Sequence, residues 1–218
     1  MSTPRPPLFP PPRRLAGRAW DGLAVGLLGG SFNPAHAGHR HASLEALRRL
    51  GLDAVWWLVS PQNPLKARAG MAPLAERLAG ARAAARHPRI VPTAIESSLG
   101  SVYTAETLAR LRAFFPRTRF VWLMGADNLI QIPRWQHWER IFRDVPVAVM
   151  DRPPYSSKAL VGKAAQRFRG RRLKVPRARR LARTAPPAWV FLTHPLHPAS
   201  ASEIRRRRAI ASAPNRER

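Results

Sequence analysis

Leu23-Ala24-Val25-Gly26-Leu27-Leu28-Gly29-Gly30-Ser31-Phe32-Asn33-Pro34-Ala35-His36-Ala37-Gly38-His39, continuing through Arg40 to Leu50, decides the fold. Leu23 to Leu28 is an apolar run of strand length that stops at two glycines, as a buried strand does when it meets a tight loop. From Gly38 onward, Ala42, Leu44, Ala46, Leu47 and Leu50 recur at helical spacing. Strand, glycine loop and helix in that order form the opening unit of a parallel α/β sheet.

Moving outward, the alternation repeats. Asp53 to Val59 predicts a second buried strand, rich in Val and Trp. Further strands are expected at Arg89 to Ile95, Arg119 to Met124, Val145 to Met150 and Trp189 to Thr193. Helices are expected at Leu74 to Arg86, Ala105 to Phe115, Asp127 to Gln131, Trp135 to Phe142 and Ser202 to Ala211. Ser157 to Arg183 predicts one helix and then an Arg-rich loop. The pattern is that of a Rossmann-like α/β fold, a doubly wound parallel sheet with helices on both faces. In such sheets ligands lie beyond the carboxyl ends of the strands, where the strand order reverses. The loops after strands one, two and four are therefore the ones to search.

The 218 residues suffice for one such domain, taken as 22–212. Residues 1–21 read as a disordered Pro/Arg-rich leader and 213–218 as a flexible tail. The leader has six prolines among its first twelve residues and no apolar core, unlike a secretory signal. No apolar stretch approaches the ~20 residues of a membrane span, so no membrane partner is expected. The absence of cysteine excludes disulfides, thiolate metal ligands and a cysteine nucleophile, and it fits a cytoplasmic protein. A net charge of +26 attracts polyanions of every kind, nucleic acids, anionic lipids and nucleoside triphosphates alike. Charge alone does not choose among them.

The glycine loop carries the sharper signal. Backbone N–H groups around Gly29, Gly30, Ser31 and Phe32 can face a phosphate, and the following helix adds its positive dipole end. His36 and His39 flank Ala37-Gly38 at the helix start, so both imidazoles can address one anion. Transfer of a nucleotidyl group needs donors fixed in advance around the α-phosphate and the departing pyrophosphate. It needs no protein nucleophile if the acceptor's own phosphate attacks. The bland alternative is a glycine turn with two idle histidines.

This block resembles the G-G-x-F-[DN]-P-x-H-x-G-H signature of the HxGH nucleotidyltransferases, with His36 and His39 as the histidine pair. Near the C-terminus, Ala199-Ser200-Ala201-Ser202-Glu203-Ile204-Arg205 is similar to the I-S-S-T-x-I-R element of the nicotinate branch, with Ala201 and Ser202 in the second Ser and Thr positions. Ser202 is a natural helix N-cap, so its hydroxyl, the helix N-terminus and Arg205 can together bind β- and γ-phosphates. Gly125-Ala126-Asp127-Asn128-Leu129, followed by Pro133, Trp135 and Trp138, resembles that branch's G-x-D-x-L…P-x-W-x-x-W. Asp127 can accept hydrogen bonds from ribose hydroxyls. Trp135 offers a flat face to a pyridine ring, although tryptophans more often pack in cores. Val102-Tyr103-Thr104-Ala105-Glu106-Thr107-Leu108 is similar to S-Y-T-x-x-T-L; Thr104 also suits a helix N-cap. Asn63-Pro64-Leu65-Lys66 resembles P-P-H-K, with Lys66 still able to reach a phosphate as a point charge. Arg152, in Asp151-Arg152-Pro153-Pro154-Tyr155, is similar to an R-P-G-Y turn and is given a minor role.

The resemblance implies that ATP and nicotinate mononucleotide are the substrates, condensed to a deamido dinucleotide with release of pyrophosphate. His36, His39, Lys66 and Arg205 would be catalytic. Gly29, Gly30, Ser31, Phe32, Gly125, Asp127 and Ser202 would join His36, His39 and Arg205 around ATP. Tyr103, Thr104, Trp135 and Lys66 would receive the acceptor, with loop amides taking its carboxylate as in relatives. Mg2+ would arrive bound to ATP, since no His/Asp/Glu cluster has the spacing of a protein-held metal site. Nicotinamide mononucleotide and phosphopantetheine stay open as acceptors. A nucleic-acid-binding protein on the same fold is the reading from another class, but the aromatics form no stacking strip. No specific nucleic acid is expected, and the run Arg167 to Arg183 reads as a solvated face.

Overall fold

The computed structural model describes residues 17–61, 70–152, 154–195, 197, 199 and 201–211. Its centre is a six-stranded sheet of β1 (Ala24–Gly30), β2 (Ala54–Val59), β3 (Ile90–Thr93), β4 (Arg119–Gly125), β5 (Val147–Met150) and β6 (Trp189–Leu192). The spatial order is β3-β2-β1-β4-β5-β6, every pairing is parallel, and the order reverses between β1 and β4. The helices are α1 (Ala37–Leu50), α2 (Leu74–Ala85), α3 (Ile95–Leu99), α4 (Thr104–Phe114), α5 (Ala126–Gln131), α6 (Trp138–Asp144), α7 (Ser156–Val161), α8 (Lys163–Arg167) and α9 (Ala201–Ala211).

β2 explains the layering. All six of its residues are buried, and alternate side chains leave by opposite faces. Val55, Trp57 and Val59 join Leu47 and Leu50 of α1, Ala81 of α2, and Ala178 and Leu181. Ala54, Trp56 and Leu58 join Leu99 of α3, Leu108 and Leu111 of α4, and Phe142 of α6. Each fully buried large side chain contributes roughly 1.5–3 kcal/mol, so a sheet covered on both faces is where most of the stability resides.

Several expectations need correction. Gly29 and Gly30 are the last two residues of β1, paired with Leu58 and Val59, so the turn starts only at Ser31. Gly29 has no room for a side chain, because a Cβ there would lie 2.5 Å from Trp122 Cη2. β3 stops at Thr93, whose Oγ1 accepts the Ile95 N–H at 3.1 Å and starts α3 where strand was expected. Trp135 follows a 3-10 turn, Ile132–Arg134, and α6 begins only at Trp138. The stretch expected as one helix and a loop is α7, α8 and two 3-10 segments, Arg169–Arg171 and Val175–Arg183, because Gly162 is extended (φ −72, ψ 162) and divides it. In the longer 3-10 segment Ala178 and Leu181, three apart, are buried while Arg177, Arg179, Arg180 and Arg183 are exposed. The fold also begins earlier than residue 22: Gly17–Trp20 forms a turn, and Trp20 is fully buried, its ring edge-on to Trp56 at 4.7 Å.

Candidate active site

The crevice at the β1/β4 reversal is built first by the turn after β1. Phe32 adopts a left-handed backbone (φ +47), which costs a non-glycine residue about 1–2 kcal/mol. Burial of its ring offsets that cost: it is 2% exposed, stacked on Trp57 at 5.1 Å and 4.8 Å from His39. What Phe32 can offer a nucleotide is therefore its backbone, while its ring supports a histidine. Arg77 of α2, 4% exposed, braces the same turn from below. Its guanidinium donates to the carbonyls of Ser31 and Ser60 at 2.7 Å, Ala72 at 2.8 Å and Pro61 at 3.2 Å.

The histidine pair caps α1. His36 is the N-cap, and its Nδ1 accepts the Gly38 N–H at 3.1 Å; His39 Nδ1 accepts the His36 N–H at 3.2 Å. Two histidines thus form the reciprocal capping arrangement usually made by Ser or Thr with Glu or Gln. A backbone N–H can only donate, so both Nδ1 atoms are bare and each neutral ring carries its proton on Nε2. The ring centroids are 3.8 Å apart. His36 is pushed down to about 4, first by burial and then by the positive charges of Arg152 and His197, and it is neutral at physiological pH. The result is a pair of preoriented N–H donors at a helix N-terminus, suited to an oxyanion.

The C-terminal element closes on this pair. A Cβ at Gly38 would meet the Ala199 carbonyl oxygen at 2.9 Å, so the loop after β6 lies directly on the start of α1. His41 Nε2 lies 2.5 Å from the Pro195 carbonyl and ties the same loop down. Arg205 Nη1 donates to the Asn33 carbonyl at 2.5 Å, and its Nη2 lies 3.4 Å from Ser202 Oγ. Ser202 is not the N-cap expected of it: α9 starts at Ala201, which places Ser202 inside the first turn, where it meets Arg205 three residues on.

On the β4 side, Asp127 occupies the first turn of α5. Its Oδ2 accepts from Arg152 Nη1 at 2.8 Å, and its Oδ1 is buried with no hydrogen-bond partner. Arg152 therefore joins the two halves of the crevice, touching Asp127 and lowering the His36 pKa. Among the described residues no group of three or more His, Asp or Glu side chains is arranged to hold a metal ion.

Of the residues expected to hold an acceptor, Tyr103, Thr104 and Trp135 lie at the same end of the sheet. Arg112 and Asp144, at the C-terminal ends of α4 and α6, pair at 3.5 Å, so the two helices run in the same sense. Tyr103 and Thr104 start α4, and half-buried Trp135 precedes α6; both lead in from the carboxyl edge of the sheet. Tyr103 holds the N-cap position and Thr104 is the first helical residue, so Thr104 does not cap. Trp138 is a packing residue, edge-on to Phe142 and Phe168. Lys66 and Asn63-Pro64-Leu65 lie outside the described residues. The reading of the sequence missed Arg77, one of the two arginines of α2, and did not anticipate the contact of Arg152 with Asp127.

A family profile described as cytidylyltransferase-like matches residues 27–207. A protein of Cereibacter sphaeroides named "Probable nicotinate-nucleotide adenylyltransferase" is 53% identical over 183 residues, covering 84% of this chain and 96% of that one. One of the same name from Parvibaculum lavamentivorans is 54% identical over 186 residues, covering 85% and 92%. In three dimensions the chain is similar to Plasmodium falciparum nicotinic acid mononucleotide adenylyltransferase complexed with NaAD. The TM-score is 0.61 at 14% identity, covering 84% of this chain and 83% of that one, a likeness of fold. No helix among the described residues is long and apolar enough to cross a membrane.

Proposed function

The chain belongs to the cytidylyltransferase-like family and, within it, to the nicotinate-nucleotide adenylyltransferases, and from this premise we propose how its residues carry the reaction. It transfers the adenylyl group of ATP to nicotinate mononucleotide, giving deamido-NAD and pyrophosphate in NAD biosynthesis. An oxygen of the acceptor's 5′-phosphate attacks the α-phosphorus of ATP in line. The bond from that phosphorus to the oxygen bridging the β-phosphate breaks, and pyrophosphate leaves with the charge.

One observation carries this assignment of roles: both histidines accept a backbone N–H at Nδ1, which sets the proton of each neutral ring on Nε2 at the start of α1. His36 and His39 hydrogen-bond the α-phosphate as charge builds on it. Arg205, and Lys66 further along the sequence from β2, neutralise the β- and γ-phosphates. Ser202 adds a hydroxyl beside Arg205, and the turn from Gly29 to Phe32 lends backbone N–H groups. Asp127, next to Gly125, accepts from ribose hydroxyls. Tyr103, Thr104 and Trp135 enclose the nicotinate ring. The divalent ion, Mg2+ in this reading, comes in on ATP as part of the substrate. The ATP requirement and the cysteine-free composition suit a cytoplasmic enzyme.

The test is pyrophosphate release from purified protein with Mg-ATP, offered nicotinate mononucleotide, nicotinamide mononucleotide or phosphopantetheine. Release with the first at the highest kcat/KM is the expected result. A higher kcat/KM with either of the others would overturn the acceptor.

A further inference from the structure

A buried polar chain lies beneath the acceptor loop and takes part in none of the steps above. Glu96 is in α3, Thr107 is in α4, and the connection from Gly100 to Tyr103 joins the two helices. Ser101 is 2% exposed and Thr107 1%. Ser101 Oγ lies 2.9 Å from Thr107 Oγ1, which donates to Glu96 Oε1 at 3.2 Å. A hydroxyl has one proton. With Thr107 donating to the carboxyl, Ser101 must donate to Thr107, so the chain runs from Ser101 through Thr107 to Glu96. The Thr107 N–H also donates to the Tyr103 carbonyl at 3.0 Å. Thr107 thereby holds both Ser101 and Tyr103, and the carboxyl of Glu96 fixes the Thr107 hydroxyl.

We propose that Glu96 is the positioning residue of the acceptor loop: by ending the Ser101–Thr107 chain it sets the backbone of Val102 to Thr104, whose amides receive the acceptor's pyridine carboxylate. This rests on the assignment of that loop to nicotinate mononucleotide. The second carboxyl oxygen, Oε2, is buried and has no partner, an arrangement costly for a carboxylate and mild for a neutral acid. Burial pushes Glu96 up to about 7, with the Thr107 hydrogen bond working against the rise. Below that value the acid is neutral and holds the loop without setting a negative charge under a site that must accept another. Only the oxygen facing Thr107 is needed, and a glutamine supplies it.

The experiment measures the KM of each substrate and the amide hydrogen exchange of the loop in Glu96→Ala, Glu96→Gln and Thr107→Val. Glu96→Ala and Thr107→Val should raise the KM for nicotinate mononucleotide about tenfold while the KM for ATP stays within about twofold. Glu96→Gln should bring the acceptor KM back to within about twofold of wild type. Exchange at Tyr103 and Thr104 should quicken in Glu96→Ala and not in Glu96→Gln, with α1 unchanged in both. Wild-type turnover with nicotinate mononucleotide tests the acceptor assignment separately, and the exchange data judge Glu96 whatever that turnover is. An unaltered acceptor KM, an equal rise for both substrates, or unaltered loop exchange in Glu96→Ala would overturn the proposal. If the alanine variant fails to fold, the same measurements on Thr107→Val decide in its place.

Discussion

In the proposed mechanism His39 has two duties, and substitutions can separate them. Alanine removes the Nε2–H donor and also the Nδ1 that accepts the His36 amide. Its kcat should fall about 10²–10³-fold, the usual cost of an oxyanion donor. The lost cap should lower stability by about 1 kcal/mol, or roughly 2–4 °C in Tm for a chain of this size. His39→Asn keeps an acceptor for the cap and should lose the same turnover with a smaller change in Tm. Turnover within twofold of wild type in either variant would remove His39 from the chemistry. Glu96 yields a prediction about pH. Its native pKa of about 7 lies above its ordinary 4.5, so between these values the folded protein holds a proton that the unfolded chain has released. The stability from this group is complete below pH 4.5 and is lost as pH rises through 7. Glu96→Gln, neutral throughout, should raise Tm relative to wild type at pH 8 and leave it nearly unchanged at pH 5. Equal shifts at both would mean the carboxyl is ionised in the native state.

The elements were the most readable part of the chain, and their junctions the least. Every strand began within two residues of its expected start, because a run such as Ala54–Val59 is short, rich in Val and Trp and closely followed by Pro61, which favours a buried strand over a helix. The ends misled wherever a side chain rather than a pattern set them. The N-cap of α1 is a histidine, a role that single-residue preferences do not anticipate, while Thr104 and Ser202 look like caps and each sits one or more residues inside its helix. The histidine block was visible because its spacing is particular, and the Ser-x-x-Arg element because it follows the last strand and pairs with that block. Arg77 was not, since in Leu74–Ala85 it is one arginine of two and periodicity does not say which is buried. Its importance is tertiary. Arg77→Ala would remove the guanidinium shared by the carbonyls of Ser31, Ser60, Pro61 and Ala72, at a cost on the order of 3 kcal/mol. Lysine should recover little of this, because a point charge cannot reproduce the planar fork. Urea unfolding of the two variants against wild type is the measurement, and a midpoint close to wild type for Arg77→Lys would contradict the bracing role.

For the whole molecule, the strand order points to the place of the proposed chemistry before any residue is considered: the order reverses between β1 and β4, and the loops after those two strands carry the proposed site. The large positive charge had less to say. No acidic residue occurs between Asp151 and Glu203, yet the arginines of Val175–Arg183 stand in solvent around an apolar seam and leave the fold's interior untouched. Other features needed the packed chain to be seen, such as Trp20 plugging the sheet from within the expected leader, or Arg152 reaching both Asp127 and the surroundings of His36. The meeting of Arg205 with the Asn33 carbonyl has a further consequence, for synthesis. All six strands precede Thr193, so a nascent chain has its whole sheet before the residues proposed to grip the triphosphate leave the ribosome. A message cut short by a stop codon just past β6 would encode every strand of the sheet without the arginine proposed for the triphosphate, and quality control that senses only exposed core would have little reason to remove it.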